Sequence, residues 1–222
     1  DSDGSSGISC DLYVSAHTAA YTSDTVFFIY SKDIYSPYEK TDNCLYTINY
    51  GKNEVYEDTL KLAYDPGDDF IIYEVHSTDK TLVILGTDKE HNKILLRVID
   101  LETMECIQNI QVSDKNAESA GVTAFLKDDF LLIKIHDYNS KANENDDETE
   151  IHFYTVLPDG TYKYSMTVYD KEKNFSKYDY LSYVDFDGER AVFMQTIHPY
   201  STGNNEYYHF FVSVYDKSGL LY

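Results

Sequence analysis

Apolar residues in this chain fall into short runs, too brief for helices, that partly alternate with polar positions and are separated by polar turns. Nowhere do they recur at i, i+3, i+4 and i+7 over three turns, so β-strands are the expected element throughout. The clearest stretch is KILLRVIDLETMECIQNIQV, residues 93–112, where Ile94–Ile99 and Cys106–Val112 flank the turn Asp100-Leu101-Glu102-Thr103-Met104-Glu105. Two Ile/Leu/Val-rich runs so placed predict a hairpin, with Met104 and Cys106 continuing the alternation into its second strand.

Two further runs, Phe70–His76 and Leu82–Thr87, precede the hairpin across the tight-turn sequence Ser77-Thr78-Asp79-Lys80. Together they make a four-strand unit, A to D, over residues 70–112, and the same grammar recurs. Residues 119–169 carry Ala120–Leu126, Asp129–His136, Glu150–Leu157 and Tyr162–Tyr169, with Pro158-Asp159-Gly160 as a hairpin turn. Residues 178–222 carry Tyr180–Phe186, Ala191–His198, Tyr208–Tyr215 and a stub, Leu220–Tyr222. Upstream, in residues 8–62, Thr25–Tyr30, Cys44–Tyr50 and Glu54–Leu62 fit, and either Ile8–Ala16 or the weaker Thr18–Tyr21 supplies the first strand.

Phe27-Phe28-Ile29, Leu82-Val83-Ile84-Leu85, Phe130-Leu131-Leu132-Ile133 and Val192-Phe193-Met194 occupy the same slot in the four units. Meanders that face one another around an axis need their inner strands most apolar, so this pattern favours radial repetition over a two-sheet sandwich. Residues 93–112 resemble the outer half of a WD40-type propeller blade, with Ile99-Asp100 standing where that family has its Trp-Asp. The chain has no Trp and lacks the family's Gly-His pair. The expected fold is an all-β propeller of about four four-stranded antiparallel meanders, as one domain over residues 8–222 behind a Ser/Gly-rich tether, residues 1–7. Whether Ile8–Ala16 closes the last unit into a ring of four, or the units belong to a larger ring, is open at this point.

Composition sharpens this in one respect. The chain has 222 residues, 39 Asp and Glu against 18 Lys and Arg, and a formal net charge of −21. Such a surface repels phosphate backbones and anionic bilayers, which argues against nucleic acid and membrane partners. No apolar run approaches the roughly 18 residues that span a bilayer. Cys10, Cys44 and Cys106 lack CxxC spacing and sit in or beside apolar runs, so they are expected as buried thiols. A start at Asp1 followed by SDGSSG suggests an extracellular or envelope-attached origin.

Candidate chemistry lies in the connections. In such meanders the B-C and D-A connections share one face of the ring, and the short A-B and C-D turns share the other. Three B-C segments are long: Asp33–Asn43, Asp137–Thr149 and Pro199–Tyr207. They carry Tyr35, Tyr38, Tyr138, Tyr200 and Tyr207, residues suited to recognising proteins or sugars. His136 and His198 end the second strand of neighbouring units, where imidazoles could bind metal or act in acid-base chemistry, though no spacing specifies a third ligand. Asn143–Glu148 is acidic but lacks the order of a known calcium loop, and Asn174-Phe175-Ser176 is a glycosylation sequon.

Nucleophile motifs, phosphate loops and HExxH are absent, and the sequence asks for no cofactor. The leading expectation is a non-catalytic module that binds a protein or glycan through the Tyr-rich long-loop face, its oligomeric state unspecified. Two alternatives remain: a metal-dependent enzyme or the substrate-gating propeller of one, and an intracellular WD40-like scaffold.

Overall fold

The structure is a computed structural model that describes residues 19–29, 44–49, 61–117, 120–137, 149–169, 180–197 and 209–222. The described residues form four four-stranded antiparallel sheets and no helix. The first holds β1 (Ala19–Tyr21), β2 (Thr25–Ile29), β3 (Leu45–Asn49) and β4 (Lys61–Tyr64). Next come β5 (Phe70–Ser77), β6 (Thr81–Asp88), β7 (Ile94–Asp100) and β8 (Cys106–Ser113). The third sheet is β9 (Ala120–Leu126), β10 (Phe130–Asp137), β11 (Thr149–Val156) and β12 (Tyr162–Tyr169). The last is β13 (Tyr180–Phe186), β14 (Ala191–Ile197), β15 (His209–Asp216) and β16 (Gly219–Leu220). Each sheet is a plain meander, its strands paired in sequence order.

Three apolar clusters lie between successive sheets. Ala20, Phe27 and Leu45 meet Phe70, Ile72, Val75, Leu82, Ile84 and Ile99 between the first and second. On the second sheet's other face, Val83, Leu85, Ile94, Leu96 and Val98 pack with Leu131, Ile133, Ile135, Tyr154 and Tyr162 of the third. Phe130, Leu132, Ile151 and Phe153 then meet Val184, Phe186, Ala191, Phe193 and Tyr215 of the fourth. Side chains alternate across a strand, so a strand with a neighbouring sheet on each face must be apolar at every position. That is why β6 and β10 read as continuous runs: Leu82 and Ile84 face one neighbour, Val83 and Leu85 the other. The arrangement is a β-propeller, with β1, β5 and β9 in contact as innermost strands.

In the first three blades the most buried strand is the second, not the innermost. Thr123 and Phe125 of β9 are exposed, while Val122, Ala124 and Leu126 on its other face pack against the core between the second and third blades. Other differences from expectation are local. The first blade uses Ala19–Tyr21 as its inner strand, and the described part of its fourth strand, Lys61–Tyr64, overlaps the end of the expected run Glu54–Leu62. Residues 8–16 lie outside the described residues. Met104 does not extend β8 but sits in the turn at φ 57°, where its amide donates to the Asp100 carbonyl over 2.8 Å. The chain end folds back on β15, the Leu221 amide donating to the Val214 carbonyl and the Val214 amide to the Tyr222 carbonyl, both at 2.8 Å.

Polar clasps tie the blades together. Arg97 of β7 donates to the Tyr64 hydroxyl (3.1 Å) and the Pro66 carbonyl (2.9 Å), its guanidinium 4.2 Å above the Phe70 ring. Lys80 Nζ reaches the Pro158 carbonyl at 3.0 Å, and Lys127 Nζ reaches the Val184 carbonyl at 2.9 Å. Arg97 and Lys127 are part-buried with their heads hydrogen-bonded, so each serves both packing and polarity, whereas Lys80 is exposed.

Candidate functional site

Antiparallel order assigns the connections to two faces. Between described strands the A-B turns span three or four residues and the C-D turns after β7, β11 and β15 two to five, whereas residues 50–60 separate β3 from β4 and the B-C segments after β2, β10 and β14 cover residues 30–44, 138–148 and 198–208. Four of the short turns are built by Asp residues. Asp100 Oδ1 accepts from the amides of Glu102 (3.0 Å) and Thr103 (2.8 Å), and Asp159, Asp187 and Asp216 close their turns in the same way. Such Asx turns satisfy the amides exposed where a strand ends. Ile99-Asp100 thus ends β7 with Ile99 in the core and Asp100 bracing the turn.

On the opposite face the D-A segment between the second and third blades lies against a B-C turn, the Ala117 amide donating to the His91 carbonyl over 2.8 Å. His91 has φ 57°, and its Nδ1 lies 3.0 Å from the Tyr73 hydroxyl. Asp88 Oδ1 accepts from the Asn92 and Lys93 amides at 2.7 and 3.0 Å, which makes this short B-C turn rigid.

The third blade carries a polar chain at the root of its long segment. His136 closes β10, pairs with Thr149 across the ladder and is buried, its Nδ1 2.8 Å from the Thr149 hydroxyl. Lys115, from the neighbouring D-A segment, places Nζ 3.3 Å from Glu150 and 3.8 Å from Asp137. Glu150 Oε2 lies 3.0 Å from His152 Nε2, and His152 Nδ1 lies 3.0 Å from the Thr167 hydroxyl. The His152 hydrogen bond, with the Lys115 charge behind it, outweighs burial and lowers the Glu150 pKa. Among the described residues no group of three or more His, Cys, Asp or Glu could hold a metal ion.

Of the residues singled out in the sequence, His136 is therefore placed at the base of the long-loop face. Tyr35, Tyr38, Tyr138, Tyr200, Tyr207 and His198 lie outside the described residues, as do residues 143–148 and the sequon at 174–176. Lys115, Glu150 and His152 were not anticipated. A legible signal existed for two of them, because Glu150-Ile151-His152 at strand spacing puts both side chains on one face, as does Glu74-Val75-His76. Cys106 corrects the expectation of buried thiols: it opens the outer strand β8 and faces solvent, while Cys44 is half-buried.

No known family model matches this chain, and no curated protein matches it. Among solved structures it is similar to the β-propeller domain of the Trilobed protease from Pyrococcus furiosus, a domain with an open velcro topology. The TM-score is 0.39 and the identity 14%, over 94% of this chain and 69% of that one.

Proposed function

We propose that this chain is a non-catalytic interaction module that binds a protein or glycan through the face carrying its long B-C segments. One observation supports the reading above others. Seven of the eight A-B and C-D connections are turns of two to five residues, residues 50–60 between β3 and β4 being the exception, while residues 30–44, 138–148 and 198–208 join strand ends at the opposite face. A rigid scaffold with extended connections on one side is the usual design of a recognition surface. Tyr35, Tyr38, Tyr138, Tyr200 and Tyr207 supply aromatic anchors on those segments, with His136 and His198 at their roots. The net charge of −21 turns the surface away from nucleic acid and anionic bilayers. An extracellular or envelope location is part of the proposal.

The test is a glycan array and a displayed peptide library, screened with the wild type and with a Tyr35→Ala/Tyr138→Ala/Tyr200→Ala variant of unchanged Tm. A ligand selected by the wild type and weakened at least tenfold by the variant supports this face. Unchanged binding assigns recognition elsewhere.

A second reading, an intracellular WD40-like scaffold, draws on the free thiol of Cys106 and on Ile99-Asp100 at the end of β7. Fractionation of cells that express the complete gene product separates the two.

A further inference from the structure

A cavity of about 300 Å³ opens on the short-turn face, opposite the long-loop rim, where the innermost strands of three blades converge. Its lining is Ala19, Ala20 and Tyr21 of β1, Val75, His76 and Ser77 of β5, and Leu126 of β9. The depression is open to solvent, and its volume is at the lower end of the range of small-molecule sites.

A β-bulge at Tyr73 builds its polar wall. Ile72 pairs with Gly86 and Glu74 with Leu85, so Tyr73 is an extra residue in β5. Bulges reverse the alternation of side chains beyond them. Ile72 and Val75 consequently both pack toward the first blade, and Glu74 and His76 turn toward the third. The buried Glu74 carboxylate accepts the Ala124 amide of β9 at 2.7 Å and lies 3.2 Å from His76 Nε2. His76 keeps part of its ring accessible in the cavity.

This geometry sets the polarity of the site. A carboxylate can only accept, so the Nε2 proton of His76 is directed at Glu74, and in the neutral ring the Nδ1 lone pair is left as an acceptor. The Ser77 hydroxyl is engaged in donating to the Tyr21 carbonyl at 2.7 Å. The remaining walls are Ala19, Ala20, Val75 and Leu126, with the exposed Tyr21 at the rim. A ligand that donates a hydrogen bond to His76 there meets mostly polar surface, because Ala20 and Val75 are buried and only Ala19 and Leu126 offer part-exposed apolar atoms to a short carbon chain. The carboxylate behind the imidazole and the net charge of −21 favour a cation and repel an anion. The Tyr21 ring can add a cation–π contact.

We propose that this cavity is a second binding site, separate from the long-loop face, that takes a small organic ammonium ion with its N–H donated to His76. The test compares n-butylammonium, 1-butanol and butyrate, which share one carbon chain and differ in charge, by calorimetric titration and by the ¹H–¹⁵N correlation of the His76 ring. Saturable butylammonium binding with a dissociation constant on the order of 1–10 mM is expected for so small a ligand, with butanol at least fivefold weaker and butyrate silent. His76→Phe keeps the ring volume and Glu74→Gln keeps an acceptor for the Ala124 amide; each should weaken butylammonium at least tenfold. Absence of butylammonium binding, butanol or butyrate binding as tight, or unchanged binding in His76→Phe would overturn the proposal. The comparison of the three probes on the wild type decides it even if neither variant folds.

Discussion

Gln108 and Tyr162 hold two blades together by a reciprocal pair of hydrogen bonds. The Gln108 side-chain amide donates to the Tyr162 carbonyl and accepts from the Tyr162 N–H, both at 2.8 Å. The contact joins β8 of one blade to the start of β12 in the next, at the periphery where apolar packing thins. Gln108→Ala removes both partners from a part-buried backbone segment, for which a loss of about 1–3 kcal/mol is expected. Urea denaturation should show a lower midpoint with an unchanged slope.

Gly86 has no room for a side chain. A Cβ there would stand 2.2 Å from the Ile71 carbonyl oxygen and 2.5 Å from the Phe70 ring. Backbone oxygen cannot yield as a flexible side chain can, and Phe70 is itself pinned under Arg97. Gly86→Ala is expected to destabilise by at least about 2 kcal/mol. Gly188, at φ 96° with open space around it, is the control: Gly188→Ala carries backbone strain alone, about 1 kcal/mol. A larger fall in thermal midpoint for the second substitution than for the first would contradict this assignment.

Phe153 joins the third and fourth blades through rings. It stacks on Phe186 at 4.7 Å between centroids and meets Phe193 edge-on at 5.8 Å. Phe153→Ala should cost about 3–5 kcal/mol, and Phe153→Leu clearly less, because the smaller change leaves a smaller void. Hydrogen exchange should localise the loss to β10, β11 and β14.

Stability should fall at both ends of the pH scale, for opposite reasons. Amide and hydroxyl donors lower the pKa of Asp100, Asp159, Asp187 and Asp216, and the His152 hydrogen bond lowers that of Glu150. A carboxylate whose folded pKa lies below its unfolded value contributes stability above the unfolded value, and loses it as pH falls through the folded one. The loss should set in below about pH 4. Burial raises the hydroxyls of Tyr154 and Tyr162 to about 12. Their contribution is complete below the unfolded value, near 10, and disappears as pH rises toward 12. Unfolding midpoints measured from pH 3 to 11 should be lower at both extremes, and Glu150→Gln should flatten the acid limb. A profile with no acid limb would refute the Asp and Glu assignments.

Much of the architecture was legible in the chain because strand patterning is local. Leu82-Val83-Ile84-Leu85 and Phe130-Leu131-Leu132-Ile133 announce strands apolar on both faces, and only a sheet between two other sheets needs them. The turns were legible for the same reason, since Asp100, Asp159, Asp187 and Asp216 act on amides two or three residues away. Of the long-loop face the chain by itself specified the lengths of its segments and the Tyr residues they carry.

Contacts between residues far apart in sequence required the tertiary structure. Lys115 meets Glu150 because a D-A segment crosses the end of the next blade. The cavity beside His76 depends on an extra residue at Tyr73 and on three innermost strands converging, neither of which leaves a periodic trace. Periodicity reports which face of a strand is apolar. It carries no information on which distant strand that face will meet, and the bulge that re-aims Glu74 and His76 is a one-residue shift in pairing that exists only once β5 and β6 are side by side.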